Sequence, residues 1–389
     1  MSPFAELDEQ WLRDGPGAKW GRVASDVLPA WVADMDFPSP EPVRRALHSL
    51  VETANLGYPD WPTGTPLREA FTDRMRSRYD WPADPGQVRE VDDVVGAAQL
   101  ALRLGTAGGD AIAVHMPCYP PFHRSITRFD RTLLPIPMID TGAGWTFDGP
   151  RLDGQLAGAR ALLLVNPHNP TGRVFTRDEL SVLAEAAHRH DLLVISDEIH
   201  ADLAYPPHRH TPFASINAAA AARTVTLTSA TKAFGLAGVR CAVAHIGPRR
   251  LLEAWDDQPP NLHGVANVFG VAATMAAWRN ADGWLAELVA HLDGQRRLIA
   301  DTIAGRLPAA RYHPPEAGYL AWIDFRGLDL GPDPAAMLLE RGRVQLSSGP
   351  DFGDGGDGFA RLNFGTSTGL LRELLDRLVC AAGPLRLPD

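Results

Sequence analysis

Between residues 160 and 197 the chain passes from one short apolar run, through an amphipathic segment, to a second apolar run. Ala161-Leu-Leu-Leu-Val165 and Leu192-Leu-Val-Ile195 read as buried strands. Between them Thr176-Arg-Asp-Glu179 has the spacing of a capping box and opens a helical pattern through Ala187. Two parallel strands need a crossover of about this length, so the stretch is a βαβ unit. Ala111-Ile-Ala-Val114 and Val225-Thr-Leu-Thr228 read as two more strands. This alternation predicts an α/β fold with a mostly parallel sheet and helices on both faces.

The last third changes character. A long helical pattern from about Gly283 to Leu307 is followed by the apolar run Tyr319-Leu-Ala-Trp-Ile-Asp324, a Gly/Asp-rich loop from Gly349 to Gly358 and a terminal amphipathic helix. A chain of 389 residues exceeds what one core usually fills. The expected division is a large domain over 45–285 and a smaller α/β domain over 286–389, with the N-terminal segment 1–44 packing on the smaller one.

A net charge of −10 with no concentrated basic stretch argues against nucleic acid as a partner. No apolar run is long enough to span a bilayer. The start, Met1-Ser-Pro-Phe, lacks a signal-peptide pattern, and Cys118, Cys241 and Cys380 are odd in number and widely spaced. The expected setting is therefore the cytoplasm, the expected partner a small molecule, and the expected place of the three cysteines the core. His208 and His210 have a spacing that suggests a metal, but no cysteine or carboxylate cluster accompanies them, so no metal is expected.

The chain has two lysines, Lys19 and Lys232, and 35 arginines among its 37 basic residues. Arginine does not lose its proton, so a lysine kept where its neighbours are arginine points to chemistry of a free amine. Lys232 closes Ser229-Ala-Thr-Lys232, directly after the strand pattern ending at Thr228. Asn166-Pro-His-Asn-Pro-Thr-Gly172 and Asp197-Glu-Ile-His200 follow the other two strands. In open α/β sheets ligands bind at the carboxyl ends of strands, so the three segments should meet in one crevice. A lysine, an aspartate and an asparagine gathered there suit pyridoxal 5′-phosphate (PLP): an amine for its aldehyde, a carboxylate for its ring nitrogen and an amide for its ring hydroxyl.

The order and spacing of these segments, with Arg240 eight residues after Lys232, resemble the fold-type I PLP enzymes of the aspartate aminotransferase superfamily. The resemblance implies that Lys232 bonds the cofactor, that Asp197 pairs with its ring nitrogen, and that Asn169, aided by His200, donates to its ring hydroxyl. It implies Ser229, Thr231 and Arg240 as phosphate ligands, joined by the backbone amides of Ala97 and Ala98 in Gly96-Ala-Ala-Gln99, read as a glycine turn opening a helix. Tyr119 matches the aromatic residue stacked on the ring, and Arg361 the fork that grips a substrate carboxylate. Tyr58 resembles the tyrosine that reaches a neighbouring subunit's phosphate, which implies a homodimer.

Within the superfamily, Lys19-Trp20, the segment Leu28-Pro-Ala-Trp-Val-Ala-Asp-Met-Asp-Phe37, Asp197 to Asp202 and Arg361-Leu-Asn-Phe364 are similar to the bacterial cystathionine β-lyase-like C–S lyases. Asp34 in that segment, with Tyr119, is expected at the substrate. The branch implies cleavage of cystathionine or another cysteine S-conjugate to thiol, pyruvate and ammonia. The alternatives are an aminotransferase, a decarboxylating or oxidising PLP enzyme and, more distantly, a non-catalytic regulator. Gly365-Thr-Ser-Thr-Gly369 departs from the branch, lacking a proline and arginine often found there.

Overall fold

The computed structural model describes residues 4, 6–54, 56–61, 64–259, 262 and 266–383. A seven-stranded sheet forms its centre: β1 (Val88–Val91), β2 (Ala111–Met116), β3 (Thr132–Pro137), β4 (Ala159–Val165), β5 (Leu193–Asp197), β6 (Thr224–Thr228) and β7 (Ala242–Ile246). Their spatial order is β1-β7-β6-β5-β4-β2-β3. The run from β6 to β3 is parallel, and β7 is antiparallel to both of its neighbours.

Successive side chains of a strand point to opposite faces, and β4 shows how its apolar run uses both. Leu163 and Val165 pack with α1 (Val94–Gly105), whereas Leu162 and Leu164 pack with α2 (Arg177–Arg189). Each such leucine contributes about 1.5–3 kcal/mol by leaving water. A strand sandwiched in this way has no polar face, which is why the sequence reads as a continuous hydrophobic run. The capping box of α2 forms as expected: the Glu179 amide donates to the Thr176 hydroxyl at 3.2 Å and the Thr176 amide to the Glu179 carboxylate at 2.7 Å. The helix continues two residues beyond the expected Ala187. Strand β5 also runs further than its apolar pattern, so Asp197 is its last residue, paired between Val165 and Leu227.

A second, four-stranded antiparallel sheet is built from β8 (Arg311–Tyr312), β9 (Leu320–Asp324), β10 (Ser347–Ser348) and β11 (Phe359–Asn363), in the order β8-β9-β11-β10. It lies between α3 (Asp282–Arg306) and α4 (Thr368–Ala382) in sequence. The N-terminal segment is stitched to this part. Leu28–Pro29 pairs with Val344–Gln345, the Asn363 amide donates to the Ala30 carbonyl at 2.8 Å, and the Asp36 amide to the Gly365 carbonyl at 2.9 Å. Lys19 forms a buried ion pair with Asp36 at 2.8 Å, and the Trp20 indole donates to the same carboxylate at 2.7 Å. Residues 31–37 are thereby held as a strap across the strand ends of the large sheet.

Cys118 and Cys241 are buried, but Cys380 is exposed. It lies on the solvent side of α4, whose leucines 371, 374, 375 and 378 occupy the inner face. Among the described residues no helix is long and apolar enough to cross a membrane.

Candidate active site

A cavity of about 160 Å³ opens where β4, β5 and β6 end. Lys232 enters it from the first turn of the short helix Thr231–Phe234. Its Nζ donates to the Ala33 carbonyl of the strap at 2.6 Å. Burial lowers the pKa of this amine from its ordinary value and the Arg361 cation adds to that, while Asp34 and Asp197 pull the other way. The environment therefore brings Lys232 closer to the neutral amine that can take a proton.

Asp197 lies at the end of β5 and is buried, with the Ile199 amide donating to its Oδ1 at 3.1 Å. Burial pushes its carboxyl up to about 7, the Ile199 hydrogen bond resists, Glu198 raises it further and Lys232 opposes. A carboxyl so placed is costly to ionise alone and gains from a cation beside it. His200 is held down at about 3, chiefly by burial and then by Lys232 and Arg361, so its imidazole is neutral. Its Nδ1 is buried without a partner among the described residues.

Asn169 and Arg361 join the large sheet to the second one. Arg361 comes from the middle of β11, and its Nη1 donates to Asn169 Oδ1 at 3.0 Å. Its Nη2 donates to the Trp31 carbonyl at 3.0 Å and to Ser347 Oγ at 3.1 Å, and its guanidinium lies 4.9 Å from the centre of the Phe352 ring. Burial brings Arg361 down to about 10, which leaves it a cation. With Asn169 Oδ1 taken by Arg361, the Asn169 amide N–H groups remain for the cavity. Tyr119 precedes the helix Pro120–Arg128 and lines the cavity, its ring edge-on to Phe122 at 5.5 Å. Burial raises its phenol, so it stays protonated.

Ser229, Thr231 and Arg240 line one end of the cavity. Ser229 donates to the Cys241 carbonyl at 2.6 Å and accepts from the Thr231 amide at 3.1 Å. Arg240 Nη2 contacts the Asp93 carboxylate and lies 3.6 Å from Asp92. The expectation for Ala97 and Ala98 needs correction. Helix α1 begins at Val94, with Asp93 as its N-cap. The Ala97 amide already donates to the Asp93 carbonyl at 3.1 Å, Ala98 lies within the helix, and both methyl groups are buried. The first helical residues are Val94 and Val95, which do line the cavity and whose N–H groups have no acceptor within the helix. Gly96 drew the reading three residues too far along; Asp93, an N-cap residue type before an apolar run, was the usable signal.

Arg361 lies behind Asn169 rather than on the cavity wall, and two further expected residues also stand apart from it. Tyr58 is fully exposed, in an apolar groove with Leu56, Trp61 and Val268. Asp34 is partly buried in the strap next to Ala33, and its main-chain carbonyl accepts from Asn363 Nδ2 at 2.6 Å. Sequence reasoning missed the Ala33 carbonyl, and also Tyr319, whose hydroxyl donates to that carbonyl at 3.1 Å. A backbone acceptor has no residue-type signature, so no sequence signal marked it.

Residues 32–378 match the family described as Aminotransferase class I and II. The chain belongs to this family. It is similar to the cystathionine β-lyase PatB of Bacillus subtilis, 34% identical over 93% of this chain and 96% of that one. It is also similar to the cystathionine β-lyase of Corynebacterium glutamicum, 32% identical over 96% of this chain and 98% of the other. Among solved structures it resembles cystalysin of Treponema denticola, which contains pyridoxal 5′-phosphate. That likeness has a TM-score of 0.91 at 28% identity and covers 98% of each chain. The superfamily resemblance read from the motifs is thus borne out, as are the fold type and the lyase branch.

Proposed function

We propose that this chain is a PLP-dependent C–S β-lyase that cleaves cystathionine or another cysteine S-conjugate to a thiol, pyruvate and ammonia. The observation that carries the reading is the meeting of the Lys232 amine and the buried Asp197 carboxyl in one cavity at the strand ends, with the Arg361 fork hydrogen-bonded to Asn169 of its wall. The donor set fits the cofactor. A carboxyl that burial, chiefly, holds near 7 suits a pyridinium partner, an amide with free N–H groups suits the ring hydroxyl, and unpaired first-turn amides with Thr231 and Arg240 suit a phosphate.

When bound, PLP supplies an aldehyde that captures the substrate amino group and a protonated ring that draws electrons from Cα. The protein does the rest. Arg361 grips the substrate carboxylate with its planar fork, which fixes the direction of the Cα–H bond. Lys232 Nζ, steadied by the Ala33 carbonyl, takes the Cα proton, a general-base step worth about 10²–10⁴-fold. The electron pair left at Cα forms the bond to Cβ as the Cβ–S bond breaks, and the sulfur leaves with its pair as thiolate. The three-carbon enamine then takes up water to give pyruvate and ammonia. Tyr119 would cover the cofactor's ring, and Asp197 and Asn169 would hold it by hydrogen bonds.

The same reading treats residues 45–285 as the cofactor domain and 286–389 with 1–44 as the smaller one, which the pairing of Leu28–Pro29 with Val344–Gln345 supports. It includes a homodimer in a cytoplasmic setting. The apolar groove around Tyr58 would meet a second copy, placing Tyr58 at the partner's phosphate. Asp34 would face the substrate from the strap.

The test uses purified protein loaded with PLP and given L-cystathionine or S-alkyl cysteines without any keto acid. Catalytic pyruvate and free thiol in equal amounts are expected. A single turnover that resumes only on adding a keto acid would make the enzyme an aminotransferase instead.

A further inference from the structure

Two devices that hold an anion meet at one end of the cavity, the N-terminus of α1 and the Arg240 guanidinium, and a single carboxylate of the chain already engages both. Asp93 Oδ1 accepts from the Gly96 amide at 2.7 Å, and Oδ2 of the same residue pairs with Arg240 Nη2. Asp92 sets a second carboxylate 3.6 Å from that nitrogen. Capping does not require the charge, because asparagine or serine would accept from the Gly96 amide as well as aspartate does. Nor does the pair contribute much to the fold, since the Arg240 side chain is 56% exposed and such pairs are screened. The consequence of the charge falls on whatever anion enters between Val94, Val95 and Arg240.

We propose that Asp93 competes with the phosphate of PLP for Arg240 and for the N-terminus of α1, and so sets a weak, salt-sensitive hold that favours exchange of the cofactor with solution. The proposal rests on the cofactor reading above. A phosphate monoester carries nearly two negative charges at neutral pH. It therefore gains from the helix end and the arginine but loses to the carboxylates, and Arg240 must be shared between two anions.

The experiment compares wild type with Asp93→Asn, which keeps the cap and removes only the charge, by titrating PLP and following the visible band of the bound cofactor. The dissociation constant should fall on the order of three- to tenfold, as expected for one screened charge beside a helix end. Cofactor loss after dilution should slow by a similar factor, and added salt should alter the affinity of the variant differently from that of wild type. Asp93→Ser, a second capping residue without charge, repeats the measurement if Asp93→Asn does not fold. Pyridoxal without phosphate should bind equally to all three. Unchanged or weaker PLP binding in the neutral variants overturns the proposal, as does an equal effect on pyridoxal. A wild-type protein that gives no band with PLP at all would overturn the cofactor reading beneath it.

Discussion

Replacing Lys19 by methionine isolates a buried charge and should be among the most destabilising single changes available outside the cavity. The side chains of Lys19 and Asp36 are 4% and 3% exposed and meet at 2.8 Å. In Lys19→Met the hydrocarbon stem is kept in volume, but among the described residues the Asp36 carboxylate retains only the Trp20 indole as a side-chain donor. Removing one partner of a buried pair costs about 3–5 kcal/mol, a large part of an ordinary domain stability of about 5–15 kcal/mol. The melting temperature should fall by roughly 5–15 °C. Neutralising the survivor gives the decisive comparison. Asp36→Asn still offers an oxygen to Trp20, so Lys19→Met with Asp36→Asn should recover most of the loss. Thermal unfolding of the four proteins of this cycle reads both quantities. A single-variant loss below about 1 kcal/mol, or a double variant no better than Lys19→Met, would refute the argument that the strap is anchored by this pair.

Lys232→Ala should fold as wild type by circular dichroism, yet show neither the visible band of bound PLP nor pyruvate release, because Lys232 is the one lysine lining the cavity among the described residues and Lys19 is held in its buried pair with Asp36. Arg361→Lys should keep the band but lower kcat/KM by about 10–10²-fold, the worth of one charge-assisted hydrogen bond of the fork, in steady-state assays on L-cystathionine. In protein stripped of cofactor, burial holds the Asp197 carboxyl at about 7 against an ordinary 3.8, so the native chain binds that proton more tightly than the unfolded chain. The stability from this group is full below about pH 4 and is lost as pH rises through 7, on the order of 4 kcal/mol in all. Urea unfolding at pH 5 and pH 8 checks it, and Asp197→Asn should remove most of the difference; an unaltered difference would mean that other groups carry it.

Much of the site was legible because its parts are local. The run Ala161–Val165, the box Thr176 to Glu179 and the motif ending at Lys232 each state their own conformation within a few residues, by apolar period, by a cap or by a turn. Strand ends then follow, and with them the expectation that Asn169, Asp197 and Lys232 share a crevice. The scarcity of lysine, with the strand pattern ending at Thr228, drew attention to Lys232, which lines the cavity. The misplacement onto Ala97 and Ala98 came from giving a glycine more weight than the N-cap aspartate three residues earlier.

What the tertiary structure decided is of another kind. The antiparallel insertion of β7 between β1 and β6 depends on pairings that no single strand announces. The Ala33 carbonyl lies 199 positions from the lysine it holds, Arg361 lies 192 from Asn169, and Arg240 lies 147 from Asp93. Local sequence sets which residues can be helix, strand or cap, since those choices are made by neighbours along the chain. The partner of a buried amine or guanidinium is chosen by the folded packing of distant segments, where every polar group taken from water must find an acceptor or a counter-charge.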